Sequence, residues 1–379
     1  MKISAKSILA CLAAAALASC GCDDCTTKSG LSRSAFQTTV DGHRTDLYTL
    51  TNAAGAEVCI TNFGGRIVSL MVPDRNGTLR DVVLGFDNVQ DYIDVPSDFG
   101  AAIGRYANRI AQGRFTLDGT EYDLPKNNFG HCLHGGPEGW QYKVYEAVEH
   151  SPNSLKLRLD SPDGDQNFPG NVTARVTYTL TDDNRIVIDY EAESDAPTII
   201  NMTNHSYFNL AGDPASHSVC DDWLTVCASN YTPVDDTYMT TGEIAPVAGT
   251  PMDFTSAKRI GDDIGRTDFE QIANGNGYDH NWVLDRTDST EAAAELYCPE
   301  SGIVLTVTTD EPGIQVYTGN FLDGTVTGKG GKIYGQRSAV CLETQHYPDS
   351  PNKPEWPSVV LRPGEKYTSH CTFAFSVRE

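Results

Sequence analysis

Positive charge is scarce in this chain: 28 Lys and Arg stand against 51 Asp and Glu over 379 residues, a formal net charge of −23. Such a chain repels phosphate backbones, which excludes nucleic acid as a partner and leaves neutral or cationic ones. Most of the excess reads as a solvated acidic surface that favours solubility. Long apolar runs are missing too. The stretch from Ile8 to Ala18 is too short to span a bilayer, and with Lys2 and Lys6 ahead of it has the order of a secretory signal. Helical periodicity is rare, and the one modest helix expected lies at Ser256 to Ile264. Dinucleotide and serine-hydrolase signatures are lacking: no G-x-G-x-x-G follows a strand and no G-x-S-x-G occurs. The run Gly324 to Gly330 has one residue too few between its glycines for a phosphate loop, and no Ser or Thr follows Lys329.

The N-terminus carries its own signal. Leu17-Ala18-Ser19-Cys20 resembles the bacterial lipobox, in which cleavage precedes the cysteine and its thiol carries the lipid. The expected organisation is a signal peptide at 1–19, a tether at 20–35 and one large domain at 36–379. The protein is then exported to the periplasm or outer membrane, touching a membrane only through Cys20. Of the 11 cysteines, Cys11 leaves with the signal and Cys20 takes the lipid, so an odd number remains and at least one is free or paired between chains. Cys22-x-x-Cys25 has redox spacing but sits in the tether without a βαβ context.

Period-two alternation dominates the body. Leu155, Leu157 and Leu159 alternate with Lys156 and Arg158, and Val172, Ala174, Val176, Tyr178 and Leu180 with polar partners. Thr181-Asp182-Asp183-Asn184 offers a turn before Ile186-Val187-Ile188, and similar runs occur at Ile303 to Val307 and Gln315 to Thr318. Cys371 alternates with Phe373, Phe375 and Val377 as a small core residue. With 34 Gly and 19 Pro between short strands, the expected fold class is all-β, a large antiparallel β-sandwich.

Chemistry-bearing residues gather in a few stretches. Thr203-Asn204-His205-Ser206-Tyr207-Phe208-Asn209-Leu210 places a histidine, hydroxyls and amides among apolar residues, a composition suited to the polar floor of a pocket. A proton moved on and another moved off near neutral pH call for a histidine and a carboxylate partner. The candidate partner is Glu343, in Cys341-Leu342-Glu343-Thr344-Gln345-His346-Tyr347-Pro348-Asp349. Asn108-Arg109 offers a guanidinium fork beside an amide. His131-Cys132-Leu133-His134-Gly135-Gly136 holds metal-ligand types, but no second cluster completes a site, so no metal is expected. His134 suits a hydrogen bond to a polar ligand, and the double glycine suggests close approach of backbone to that ligand. Tyr278-Asp279-His280-Asn281-Trp282 combines a carboxylate with aromatics and an amide, as carbohydrate sites do, next to a turn at Asn274 to Gly277. Gln315 opens a strand and is available to a ligand.

Together and in this order, these motifs resemble the aldose 1-epimerase, or galactose mutarotase, family. The likeness runs from about Phe36 to the C-terminus and is carried most specifically by the octet around His205 and by Glu343 to Asn352. It implies a β-sandwich with an open cleft, no cofactor, and interconversion of the α and β anomers of free hexoses such as glucose and galactose. It implies that Glu343 is the general base and His205 the general acid, and that Asn108, Arg109, His134, Asp279 and Gln315 hold the sugar. Ser206 and Tyr207 would line the same floor. Two other readings stay open: a non-catalytic sugar-binding lipoprotein on the same fold, and a glycosidase using Asp279 and Glu343. A phosphosugar relative would need a basic pocket, which the acidic balance does not offer.

The lipobox makes a direct prediction. Labelled fatty acid should enter the full-length protein in a bacterial host and be lost in Cys20→Ala; equal labelling of both would remove the anchor.

Overall fold

The computed structural model describes residues 26–286 and 288–379. The expected signal peptide, Cys20 and the Cys22–Cys25 pair lie outside the described residues. Of the stretch expected as a tether, the described part is already docked. Leu31 is buried, and the Lys28 backbone N–H donates to the Glu57 carboxylate. Seven cysteines are free thiols among the described residues.

Alternating strands build a nine-stranded antiparallel sheet. Its order is Glu146–Ser151, Ser154–Ser161, Val172–Leu180, Arg185–Ser194, Tyr367–Val377, Ile303–Thr309, Ala294–Tyr297, Trp223–Val226 and Lys258–Arg259. The run from Val172 to Leu180 buries every second residue, as its sequence foretells, and Thr181 to Asn184 closes the turn to the next strand with Asn184 at φ 59°. Cys371, Phe373 and Phe375 face the core, while Val377 at the strand end is exposed. A four-stranded sheet, Leu47–Thr51, Glu57–Thr61, Arg66–Pro73 and Leu79–Asp81, adds Val58, Ile60, Leu70 and Val72 to the same core.

The strands that carry the polar motifs are β1 (Ala101–Ile103), β2 (Arg109–Ile110), β3 (Cys132–Leu133), β4 (Thr203–His205), β5 (Tyr207–Phe208), β6 (Asp279–Val283), β7 (Gly313–Tyr317) and β8 (Val340–Gln345). β5, β8, β7 and β6 are consecutive in a six-stranded antiparallel sheet that ends with Asn230–Thr232 and Ala245–Pro246. Register sets its two faces. Tyr207 pairs with Cys341, Cys341 and Glu343 with Tyr317 and Gln315, and these with Asp279 and Asn281, so all seven share one face. The intervening Phe208, Leu342, Val316, Ile314 and Trp282 join the core with Leu157, Val176, Ile188 and Phe373 of the nine-stranded sheet. Phe208 meets the Phe373 ring edge-on at 5.0 Å, which makes the two sheets halves of one sandwich.

The helix expected at Ser256 to Ile264 is absent. Lys258–Arg259 instead pairs with Trp223 and Leu224 at the sheet edge, and Ile260–Asp262 forms a single 3₁₀ turn. Ile260 and Ile264 are buried at helical spacing, but Gly261 lies so close to Cys220 that a Cβ would stand 2.6 Å from its carbonyl oxygen. Edge pairing and close packing override a weak propensity. The α-helices described are Val89–Asp94 and Glu270–Gly275.

Candidate active site

The polar face of the six-stranded sheet forms the floor of a cavity of about 240 Å³, lined by Asp98, Asn108, Arg109, Asn128, Leu133, His134, His205, Tyr207, Asp279, Tyr317, Phe321 and Glu343. Its lower size, against roughly 300–1,000 Å³ for drug-sized ligands, suits one small polar molecule. Phe129, Tyr238 and Phe321 pack at the mouth, with ring centroids 5.2 and 5.3 Å from Tyr238, and the Arg109 guanidinium lies 5.3 Å from the Tyr238 ring.

At the bottom, His205 Nε2 lies 3.5 Å from Glu343 Oε1, with the two side chains 5% and 2% exposed. The His205 ring stacks on Tyr207 at 5.0 Å and meets Tyr317 edge-on at 6.4 Å. Among the described residues Glu343 Oε2 and His205 Nδ1 are buried without a partner, leaving both groups with unused hydrogen-bonding capacity. Burial disfavours charge on each. It lowers the His205 pKa, with Asp98 opposing, and raises Glu343 well above the carboxylate range, with Asp279 and Asp98 adding to the rise and Arg109 opposing it.

Two loops build the wall above. β2 and β3 pair so that Leu133 faces Arg109. Asn108 and His134 both take left-handed backbone conformations, φ 61° and 51°, and hold each other: the Asn108 N–H donates to His134 Nδ1 at 3.1 Å, and the His134 N–H donates to the Asn108 carbonyl at 3.0 Å. An Nδ1 that accepts an amide proton leaves the neutral ring's own proton on Nε2. Burial, His205 and Arg109 hold the His134 pKa well below its ordinary value, so this ring is neutral. Arg109 Nε donates to Asn128 Oδ1 at 3.1 Å. The segment after Glu343 buttresses Arg109: the Asp349 N–H donates to the Arg109 carbonyl at 2.8 Å, and its carboxylate accepts the Ala111 N–H at 2.9 Å. On the far side Asp279 Oδ1 accepts from Gln315 Nε2 at 2.7 Å. Burial raises the Asp279 pKa while Arg109 and Gln315 lower it.

Among the residues expected from sequence, His205, Glu343, Asn108, Arg109, His134, Tyr207 and Asp279 all line this cavity. Gln315 and Ser206 are not among the lining residues. Gln315 is buried behind Asp279 and bonds to it. Ser206 alternates with His205 and Tyr207 along the chain, which turns its buried hydroxyl away from the cavity they line. The double glycine also serves another purpose. At Gly135, φ +79°, a Cβ would stand 2.3 Å from the Gly104 carbonyl, so the close approach is to the chain itself. His131 is buried outside the cavity lining, its Nδ1 accepting from the Gln112 N–H and its Nε2 bonded to Thr237, while Cys132 packs in a side core with Tyr106 and Phe115.

Sequence reasoning missed Asp98, Asn128 and Phe321. Asn128-Phe129-Gly130 has a turn composition, but nothing local distinguishes Asp98 in Pro96-Ser97-Asp98-Phe99. Donor sets close enough to share a cation occur in the cavity, but each includes His205, whose nitrogens an ion would take from proton chemistry.

Residues 46–374 match the family model described as Aldose 1-epimerase. The galactose mutarotase of Rattus norvegicus is 44% identical over 320 residues, covering 84% of this chain and 91% of the relative. The aldose 1-epimerase of Escherichia coli K12 is 40% identical over 338 residues, 88% of this chain and 96% of the relative. Among solved structures, the GalM/aldose epimerase homologue from C. elegans superposes with a TM-score of 0.80 at 32% identity, covering 88% of this chain and 100% of that one. A galactose 1-epimerase from Lactobacillus acidophilus NCFM gives 0.79 at 29% identity, covering 90% and 97%.

A buried carboxyl with a raised pKa weakens the fold above its unfolded pKa. Below about pH 4.5 both states hold the Glu343 proton; as pH rises, the unfolded state releases it first and stability falls until the folded group ionises too. Glu343→Gln should therefore raise the thermal midpoint at pH 7 and leave it unchanged at pH 4. A lower midpoint at pH 7 would mean that the carboxylate is stabilised in the site.

Proposed function

The chain belongs to the aldose 1-epimerase family, and on that premise we infer that it is an isomerase interconverting the α and β anomers of free aldoses, with Glu343 as general base and His205 as general acid. The observation that supports these two as the acid/base pair is the buried 3.5 Å approach of His205 Nε2 to Glu343 Oε1, and their individual roles follow the family resemblance. A cyclic hemiacetal opens when its anomeric hydroxyl loses a proton, the electron pair released forms the C1 carbonyl, the C1–O5 bond breaks and O5 takes up a proton. The two oxygens share one carbon, so base and acid must be neighbours, as these two are. Glu343 takes the hydroxyl proton while His205 supplies the other. Rotation about C1–C2 presents the opposite carbonyl face, and closure runs the transfers in reverse. No oxidation state changes at any point.

Reversibility makes matched proton affinities valuable. Burial lowers His205 and raises Glu343, which weakens the ordinary preference of a shared proton for imidazole over carboxylate. Arg109, neutral His134 and Asp279 are the proposed holds on the remaining sugar oxygens, with Asn108 setting the loop and Gln315 acting through Asp279. Fixing those oxygens restricts the rotation to the new carbonyl. Glucose and galactose are the proposed substrates. The relatives carry the names of epimerases, which gives no support to a glycosidase or a non-catalytic binder. Export, with a lipid anchor at Cys20, is proposed from the sequence alone.

Glu343→Gln and His205→Asn should each lower kcat by about 10²–10⁴-fold, and the double variant should be no worse than the poorer single one, because acid and base act in one step. Losses that multiply in the double variant would contradict the shared step.

A further inference from the structure

We propose that Asp98 is the counter-charge that keeps one proton on the His205–Glu343 pair, a role that rests on the acid/base reading above and that makes Asp98 a positioning residue. Asp98 lines the same cavity. One of its carboxylate oxygens, one His134 ring nitrogen and one His205 ring nitrogen all lie within 4.8 Å of one another. Its Oδ1 is buried and has no hydrogen-bond partner among the described residues. A half-buried carboxylate facing two imidazoles is therefore free to act through its charge.

The segment that carries it is fastened to the strand that carries the acid. β1 pairs with β4 so that Ala101 faces His205. The Gly100 N–H donates to the His205 carbonyl at 3.0 Å, and Asn204 Nδ2 donates back to the Gly100 carbonyl at 2.9 Å. The Ala101 N–H closes onto the Asp98 carbonyl at 3.0 Å, and buried Arg66 donates to the Phe99 carbonyl at 3.1 Å. Gly100, at φ +70°, has no room for a side chain, since a Cβ would stand 2.0 Å from the Ile67 carbonyl oxygen. Asp98 and His205 thus belong to one stapled unit, with their separation set by backbone.

The groups facing His205 are the Asp98 and Glu343 carboxylates, the neutral His134 ring, the Tyr207 and Tyr317 phenols, the Cys341 thiol and the more distant Arg66 guanidinium. Around Glu343 stand the Asp279 and Asp98 carboxylates and the Arg109 guanidinium. Ring opening in either direction requires one proton on the pair. Arg66 and Arg109 repel that proton; Asp98 attracts it whether it sits on the imidazole or on the carboxyl. Removing the Asp98 charge lets the last proton leave at lower pH.

The test is the pH dependence of kcat/KM for wild type, Asp98→Asn, Asp98→Ser and Asp98→Glu, each checked for folding by circular dichroism. The alkaline limb should move down by about two pH units in the Asn and Ser variants, as expected for a unit charge about 5 Å away at an effective dielectric of about 20, and return in Glu. Two neutral variants give the same reading if one of them does not fold. A limb that stays in place in a folded neutral variant while wild type is active would overturn the role of Asp98 and leave the acid/base assignment intact. A limb that moves in Asn and is not restored by Glu would overturn it as well, by showing that shape and not charge matters. Wild type without activity on any aldose would overturn both.

Discussion

Holding a histidine and a glutamate together out of water, with one proton between them, is the demand to which the rest of this molecule answers. Neither group favours its charged form there, so each drifts toward neutrality, and the imidazole loses its ordinary advantage over the carboxylate as the place for a proton to rest. That is useful to a reaction that must run equally well in both directions. It is a burden to the fold, which gains nothing from a carboxyl denied its hydration. The charges nearby, Arg109 on one side and Asp98 and Asp279 on the other, set where the balance falls.

Strand alternation is what makes such a site affordable in a sandwich. Along β5 to β8, each residue facing the cavity alternates with one in the main core: Glu343 follows Leu342, Tyr317 follows Val316, and Phe208 follows Tyr207. The apolar half of every strand thereby fixes the register of the polar half. A slip by one residue would send Leu342 to the cavity and Glu343 into the core, a double cost that few alternative pairings could offset. Loops supply what strands cannot. Asn108 and His134 occupy left-handed backbone conformations and are locked by each other's hydrogen bonds, which also fix the tautomer that His134 offers to a ligand.

The long strands were most legible in the sequence where alternation is strict, as from Val172 to Leu180, while Ile303 to Val307 showed itself by its run of β-branched and apolar residues. His205 and Glu343 stood out because each lies in a stretch dense in polar groups, the octet around His205 and the run from Cys341 to Asp349, and those two stretches carried the family resemblance most specifically. Other features were hidden for physical reasons. The residues from Ser256 to Ile264 have helical spacing of their isoleucines, yet sheet-edge pairing and the tight contact at Gly261 decide their shape. Ser206 shares the composition of its neighbours but not their direction, and only the strand geometry separates them. Asp98 has no local pattern at all; it reaches the site because β1 pairs with a strand about a hundred residues downstream.

The most direct measurement is the optical rotation of freshly dissolved α-D-galactose, and then of α-D-glucose, with the protein lacking its first 25 residues. The account predicts relaxation to the equilibrium rotation faster than in buffer, at a rate proportional to protein concentration and to the same final value. Relaxation indistinguishable from buffer for both sugars, with the protein folded and binding them, would contradict ring opening by the His205–Glu343 pair.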